Sequence, residues 1–381
     1  MMKAIRNFKW NHYINYIVIG LLTVILGGMS LGGYRFDSSL LFLLEKVAIS
    51  VILAVSLSLV VGFLGELSLG HAGFMCVGAY LGGKVAAVLE PTVGNGVLGF
   101  VIALAVGAAV AAVCGIIIGI PALRLRGDYL AIVTLAFGEI VKSIFQNTSS
   151  ETFGGAIGLS TPRFDKKYLF IIAFILVLVT LAVVQNFIRS KHGRAVTAIR
   201  DNEIAARATG INVTKYKLLA FTLSAMFAGV AGVLYSFSNY NVQSAKFGYN
   251  YSIEILVMVV LGGMGSINGS IIAAALITFL NTKLATILTG DLAVLQNLLY
   301  ALILIVIVVY NNAPALKSFR DRYNLSMLMR KLMRRQTDPA HIKDDQAKWD
   351  VVPTKIEMNE VLSIDLTPQD KQGYERKGGD K

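Results

Sequence analysis

Long apolar segments recur along most of the chain and are separated by short polar stretches. A hydrocarbon core about 30 Å thick requires roughly 20 apolar residues per helix. By this criterion we predict about ten membrane segments, at 13–31, 40–62, 71–89, 97–120, 128–146, 167–187, 217–238, 252–264, 269–288 and 292–310. The pattern therefore predicts an all-α fold, a polytopic transmembrane helical bundle.

Composition agrees with this class of protein. Hydrophobic residues make up 55% of the 381 residues and charged residues 15%, whereas soluble domains carry roughly 25% charged residues. The two cysteines, Cys76 and Cys114, both lie in apolar segments. Disulfide frameworks and zinc sites need more cysteines at closer spacing, so we expect two buried small side chains and no metal site.

Basic residues set the expected orientation, because Lys and Arg concentrate in cytoplasmic loops. They are most frequent before the first segment, at 124–126 and at 188–217, which predicts that both termini are cytoplasmic. We assign 1–315 to the membrane domain and 316–381 to a cytoplasmic tail, basic and amphipathic at first and partly disordered beyond. The net charge of +12 then indicates contact with anionic lipid headgroups, not with nucleic acid.

Motifs for catalysis are missing from the sequence. There is no phosphate-binding loop, HExxH, CxxC or nucleophile elbow, so we predict no catalytic residue. Few ionisable residues lie in or near the predicted segments: Glu45, Lys46, Lys84, Glu139, Lys142, Glu254 and Lys283. Several of them fall near helix ends, where long side chains reach water. Glu139 lies deeper. It either faces a transport pathway or pairs with Lys142 one turn on.

Three glycine-rich stretches interrupt the apolar pattern: "GFLGELSLGHAGF" (62–74), "RLRGDYLAIVTLAFGEI" (124–140) and "LGGMGSINGS" (261–270). Glycines permit close helix packing, and transporters also place broken helices beside the substrate. Both interpretations stay open, as they do for His71, which is either hydrogen-bonded structurally or part of the path. As a hypothesis we assign to the substrate path Ser68, His71, Thr134, Glu139, Gly262, Gly263 and Gly265.

One polar block, "GRAVTAIRDNEIAARATGINVTKYK" (193–217), is enclosed by apolar segments. Asp201 is placed to cap a short helix that has Glu203 in its first turn, Arg207 in its last and Gly210 as its stop. A second capped element precedes it, with Val196 and Ile199 on one face. Short helices with small faces suit docking into a partner protein, and the alternative is a helix that lies on the membrane surface.

Within this block, "GRAVTAIRDN" followed by "EIAARATG" resembles the EAA loop of ABC importer permeases, although Glu203-Ile204-Ala205-Ala206 carries one extra residue. The stretches "GELSLGHAGFMCVGAY", "RLRGDYLAIVTLAFGEI" and "SIEILVMVVLGGMGSINGS" look like the LivM-type permease of branched-chain amino acid importers. The resemblance covers roughly residues 40–310 in the order and spacing of that family.

The resemblance implies a prokaryotic plasma-membrane machine with a sister permease, two ABC ATPase subunits and an extracytoplasmic substrate-binding protein. ATP and Mg²⁺ would bind to the ATPase subunits, and this chain would hold no cofactor. The loop at 188–217 would dock on an ATPase through a coupling helix that includes Asp201, Glu203, Ala205, Ala206, Arg207 and Gly210. Alternatives are a urea or short-chain amide permease and an ATP-independent channel or secondary carrier.

Overall fold

The structure is a computed structural model that describes residues 14–32, 36–93, 96–125, 127–162, 164, 166–287, 301, 302 and 305. The predicted tail at 316–381 and its boundary at 315 lie outside the described residues. So does the predicted segment 292–310, apart from the three positions just given.

Helices dominate the described part of the chain, which confirms the predicted all-α class there. They are α1 (Ile14–Leu31), α2 (Ser38–Ser58), α3 (His71–Val93), α4 (Val97–Ala122), α5 (Asp128–Asn147), α6 (Ser150–Phe153), α7 (Lys166–Arg189), α8 (Lys191–Asp201), α9 (Glu203–Ala208), α10 (Val213–Asn239), α11 (Tyr249–Gly262) and α12 (Ile267–Ile287). A 3₁₀ turn spans Ser244–Phe247, and the short strands β1 (Leu159–Ser160) and β2 (Asn241–Val242) pair antiparallel.

Each of the nine segments predicted between 13 and 288 coincides with a helix. In the described part, six helical stretches are long and apolar enough to cross a bilayer: Ser38–Leu64, His71–Pro91, Val97–Ala122, Tyr168–Arg189, Val213–Asn239 and Ile267–Ile287. Helices α1 and α11 contribute shorter apolar stretches, and α5, which contains Asp128, Glu139 and Lys142, is not in this group. The predicted number of about ten spans therefore stays a prediction.

Helices α2 and α10 form the centre of the bundle. Of the apolar stretch of Ser38–Leu64, 89% is buried, against 22% for Val97–Ala122 on the outside. Helix α10 packs on α2, α3 and α4, and a Cβ atom added at Gly78 would lie 2.3 Å from the carbonyl oxygen of Gly229. Small residues thus let the backbones approach closely, as is usual between membrane helices.

The first glycine-rich stretch breaks the helical path between α2 and α3. Helix α2 continues into a π-helical turn at Leu59–Leu64, and Gly65 ends it with a φ of +79°. Residues 65–70 are not helical, and α3 starts at the buried His71. Turns of π-helix are rare and often lie at functional sites.

The last glycine-rich stretch, 261–270, forms the second break, a tight hairpin that joins α11 to α12. Gly263 and Gly265 adopt φ values of +90° and +83°, which residues other than glycine rarely adopt. A Cβ atom at Gly269 would lie 1.7 Å from the carbonyl oxygen of Gly262. The two helices therefore contact each other through backbone atoms at this turn. Close helix packing was one of the two roles predicted for these glycines.

Candidate functional site

The polar block between α7 and α10 folds into α8 and α9. The Ser190 side chain caps α8 by accepting hydrogen bonds from the backbone N–H groups of His192 and Gly193. Val196 and Ile199 are buried, with 1% and 4% of their surface exposed, so the predicted capped element before the short second helix is confirmed. We call the end of the bundle that carries α8 and α9 the loop end.

The predicted N-cap of the second helix is wrong. Asp201 is still the last residue of α8, and its carboxylate accepts hydrogen bonds from Nε and Nη2 of Arg200 at 3.1 and 3.0 Å. Asn202 caps α9 instead, because its Oδ1 accepts a hydrogen bond from the backbone N–H of Ala205 at 3.0 Å. An asparagine serves this position as well as an aspartate does.

The predicted stop of α9 is found at Gly210, which has a φ of +83°. The backbone N–H of Gly210 donates to the carbonyl oxygen of Arg207 at 3.0 Å, and that of Ile211 donates to Ala206 at 3.1 Å. This is the Schellman pattern, in which a glycine in the left-handed region satisfies the last carbonyl groups of a helix.

Helix α9 exposes most of its surface. Ile204 is 76% exposed, and Ala205, Arg207 and Ala208 are exposed as well, whereas Ala206 is buried against the bundle. The exposed side is small and partly apolar, which suits contact with a second protein.

An ion-pair network ties α9 to the first break. The ammonium group of Lys217, which is only 4% exposed, contacts the carboxylates of Glu66 and Glu203. Glu203 also pairs with Arg207 one turn on. A buried lysine with two carboxylate partners is held much more firmly than a surface ion pair. The position of α9 is therefore coupled to that of the segment that contains Glu66.

A second connection runs through Arg200. Its Nη1 donates to the carbonyl oxygen of Gly62 at 3.1 Å, and its Cγ lies 2.7 Å from the position that a Cβ atom of Gly65 would occupy. Arg200 thus lies against the π-helical turn at the end of α2. The absence of a side chain at Gly65 makes this contact possible.

The two breaks meet beneath this arginine. A Cβ atom at Gly62 would lie 2.5 Å from the backbone nitrogen of Gly265, and one at Gly265 would lie 3.6 Å from Nη1 of Arg200. Gly265, with Gly262 and Gly263 just before it, therefore lies at the loop end, next to the first break.

Behind the first break lies a buried polar cluster. The imidazole Nε2 of His71 is hydrogen-bonded to the Ser56 hydroxyl at 2.8 Å. Backbone N–H groups near the start of α3 donate to hydroxyl groups, Leu69 to Thr134 at 3.0 Å and Ala72 to Ser252 at 3.1 Å. The cluster connects α2, α3, α5 and α11 through hydrogen bonds that lipid does not offer.

Three of the predicted path residues, Ser68, His71 and Thr134, lie in or beside this cluster and are at most 2% exposed. Glu139 lies elsewhere. Its carboxylate pairs with Lys142 at 2.9 Å, which was one of the two alternatives predicted for it. Its Oε1 also accepts a hydrogen bond from the backbone N–H of Tyr249, the first residue of α11, at 2.7 Å. The path assignment of all these residues stays a prediction.

A cavity of about 750 Å³ opens at the opposite end of the bundle, between the starts of α2 and α11 and the ends of α10 and α12. We call this the cavity end. Among the described residues that line it, five are charged: Asp37, Lys46, Lys246, Glu254 and Lys283. No predicted path residue is among the described residues that line it. Lys46, Glu254 and Lys283 lie in three different apolar helices, and this recurrence of charge is the sequence signal that could have indicated the cavity.

The described residues form helices that can cross a membrane, two glycine breaks that contact each other and an exposed helix that is joined to the first of them. Together these features define a helical membrane transport subunit. The chain belongs to the family described as "Branched-chain amino acid transport system / permease component", which matches residues 39–308. This is a family of transport permeases and not of enzymes, and its members act in ABC-type import.

Relatives agree with this assignment. The chain is 40% identical over 261 residues to the high-affinity branched-chain amino acid transport system permease protein LivM of Salmonella typhimurium, and equally so to that of Escherichia coli. Each match covers 60% of this chain and 60% of the relative. The ribose import permease protein RbsC of Escherichia coli is 28% identical over 311 residues, 77% of this chain and 92% of that protein.

The matched part of the chain thus spans about 60% of the length of the LivM relatives. No solved structure matches the chain significantly.

Proposed function

We propose that the chain is a permease subunit of an ATP-driven importer of branched-chain amino acids in the plasma membrane of a prokaryote. The observation that carries this proposal is the exposed helix α9, joined to the first break by Lys217, Glu66 and Arg200. An exposed helix that is fixed to a break in the membrane bundle gives an ATPase subunit a surface through which it can displace that break.

In this mechanism, closure of two ABC ATPase subunits around ATP and Mg²⁺ displaces α9. The ion pair between Lys217 and Glu66 and the hydrogen bond from Arg200 to Gly62 pass that displacement to residues 62–70. Leu69 and His71 then shift against α5 and α2, to which they are hydrogen-bonded. Alternating access follows if the loop end opens as the cavity end closes.

The complete machine would contain a sister permease and an extracytoplasmic substrate-binding protein besides the ATPases. Both termini and the loop end would face the cytoplasm, and the cavity end would face the binding protein. Branched-chain amino acids are the proposed substrates because the LivM relatives are named for them. Urea, short-chain amides and ribose are the competing solutes to test.

The docking claim is tested at an exposed side chain, so that the fold is left intact. Ile204→Asp places a charge on the free side of α9, and Ile157→Asp is a matched control because both isoleucines are 76% exposed. We expect Ile204→Asp to abolish co-purification of the ATPase subunits and the control to retain it. Normal co-purification of both variants would remove α9 from the docking surface.

The substrate is tested by uptake of labelled leucine into cells with and without the gene, before and after ATP depletion. We expect a gene-dependent and ATP-dependent signal that excess isoleucine or valine suppresses and that urea and ribose leave unchanged. Suppression by urea alone would keep the machine and replace the substrate. Uptake that survives ATP depletion would contradict the coupling mechanism.

A further inference from the structure

The cavity end offers a place for both charges of an amino acid. Lys46 lies two turns inside α2, with its Nζ 4.5 Å from the centre of the Phe42 ring. Lys246 and Glu254 line the same cavity as Lys46. Two ammonium groups that repel each other at a cavity wall favour an anion between them.

The acidic side of the cavity is positioned from a different helix. Glu254 is in α11, and its Oε1 accepts a hydrogen bond from Nδ2 of Asn281 in α12 at 3.0 Å. The amide fixes one carboxylate oxygen in the cavity wall. Carboxylates held in this way bind ammonium groups.

Apolar side chains complete the wall between the charges. Leu43, Ile49 and Phe247 all line the cavity, and an aliphatic group placed against them leaves water. The volume of about 750 Å³ falls within the range of small-molecule sites, roughly 300–1,000 Å³.

We propose that this cavity is the outer binding site for the permeating amino acid, a site that rests on the proposed function. Lys46 and Lys246 hold the α-carboxylate, Glu254 holds the α-ammonium group, and Leu43 and Ile49 contact the branched side chain. A neutral solute such as urea gains nothing from these charges, so the site selects zwitterions.

Charged side chains in a membrane bundle are costly and mark solute pathways or structural pairs. The loop end satisfies its buried lysine within the chain. At the cavity end, three lysines and two carboxylates among the described residues line one open space, an arrangement that suits a small zwitterion.

The test uses the complete transporter, with its partner permease, ATPase subunits and binding protein, in liposomes with labelled leucine. We expect Lys46→Met and Glu254→Gln each to lower ATP-driven uptake at least tenfold, while ATPase stimulation by the leucine-loaded binding protein stays within twofold of wild type. Lys46→Arg keeps the charge and should restore most of the uptake.

Two matched controls remove charges from α3, outside the cavity. Lys84→Met and Glu90→Gln should transport at the wild-type rate. Wild-type uptake in Lys46→Met or Glu254→Gln would overturn the proposal. So would a parallel loss of uptake and ATPase stimulation, because the residue would then act in folding or coupling. Absence of ATP-driven leucine uptake by the wild-type transporter would instead contradict the proposed function.

Discussion

The two ends of the bundle use charge in opposite ways. At the loop end, Lys217 is 4% exposed and its ammonium group contacts two carboxylates of the same chain. At the cavity end, Lys46 and Lys246 line an open space of about 750 Å³. Ion pairs completed within the chain fix distances between elements, whereas charges along a cavity wall remain accessible to a solute.

The two ends of the bundle also differ in how closely their backbones pack. Gly62 meets the backbone of Gly265 at the loop end with no room for a side chain on Gly62. The cavity end instead presents side chains of α2, α10, α11 and α12 to an open space. We infer that the loop end transmits position and the cavity end recognises solute, so variants should lower stability at the first and uptake at the second.

The largest effect is expected for Lys217→Met, which leaves the carboxylates of Glu66 and Glu203 without their shared partner. Removing one partner of a buried ion pair typically lowers the free energy of unfolding by about 3–5 kcal/mol. Thermal unfolding of the purified transporter measures this loss. Lys215→Met, at an exposed position nearby, is the control. Equal melting temperatures for both variants would contradict the claim that the buried ion pairs stabilise the loop end.

A smaller loss is expected for Gly269→Ala, because its methyl group would meet the carbonyl oxygen of Gly262 in the hairpin. Forcing extra atoms into a packed site costs about 1–3 kcal/mol. Gly28→Ala is the matched control, because nothing lies within 4 Å of the position that its Cβ atom would occupy. Should both alanine variants unfold at the same temperature, the hairpin would not be tight.

Gly210→Ala tests the end of α9 through the backbone alone. Its φ of +83° disfavours alanine although nothing lies within 4 Å of the added Cβ atom. The left-handed region costs roughly 1–2 kcal/mol for an ordinary residue, and asparagine tolerates it better. We expect ATPase co-purification to fall in Gly210→Ala and to be partly retained in Gly210→Asn. The reverse order would contradict the backbone argument.

The smallest change in stability is expected for Arg200→Met, because this side chain is 39% exposed. Losing its hydrogen bond to Gly62 should cost about 1 kcal/mol. Coupling should suffer more than stability, seen as fewer leucine molecules moved per ATP hydrolysed. Arg194→Met is the control, because the side chain of Arg194 makes a local hydrogen bond, to the carbonyl oxygen of Arg189. An unchanged ratio in Arg200→Met would make this contact dispensable.

Local patterns predicted local structure well. Hydropathy placed the helices between 13 and 288, and Gly210 marked the end of α9 because a left-handed stop has a distinct residue signature. The N-cap was wrong by one residue, because Asp201 and Asn202 are both good caps and the pairing of Asp201 with Arg200 was not foreseeable.

Contacts between distant residues were not predictable from one sequence. Lys217 and Glu66 lie 151 residues apart, and nothing local distinguishes either from a surface charge. Lys46 and Glu254 were two of several ionisable residues in or near the predicted segments, and only the packing of α2 against α11 and α12 brings them to one cavity.

The separation between Glu66 and Lys217 also sets an order of events during synthesis. At about 5–20 residues per second, the ribosome needs roughly 8–30 s to make the 151 residues between them. Glu66 must stay hydrated during that interval, since its partner does not yet exist. The Gly62–Gly265 contact follows later still, and the cavity end is completed after both, because Lys283 in its wall is made after Gly265.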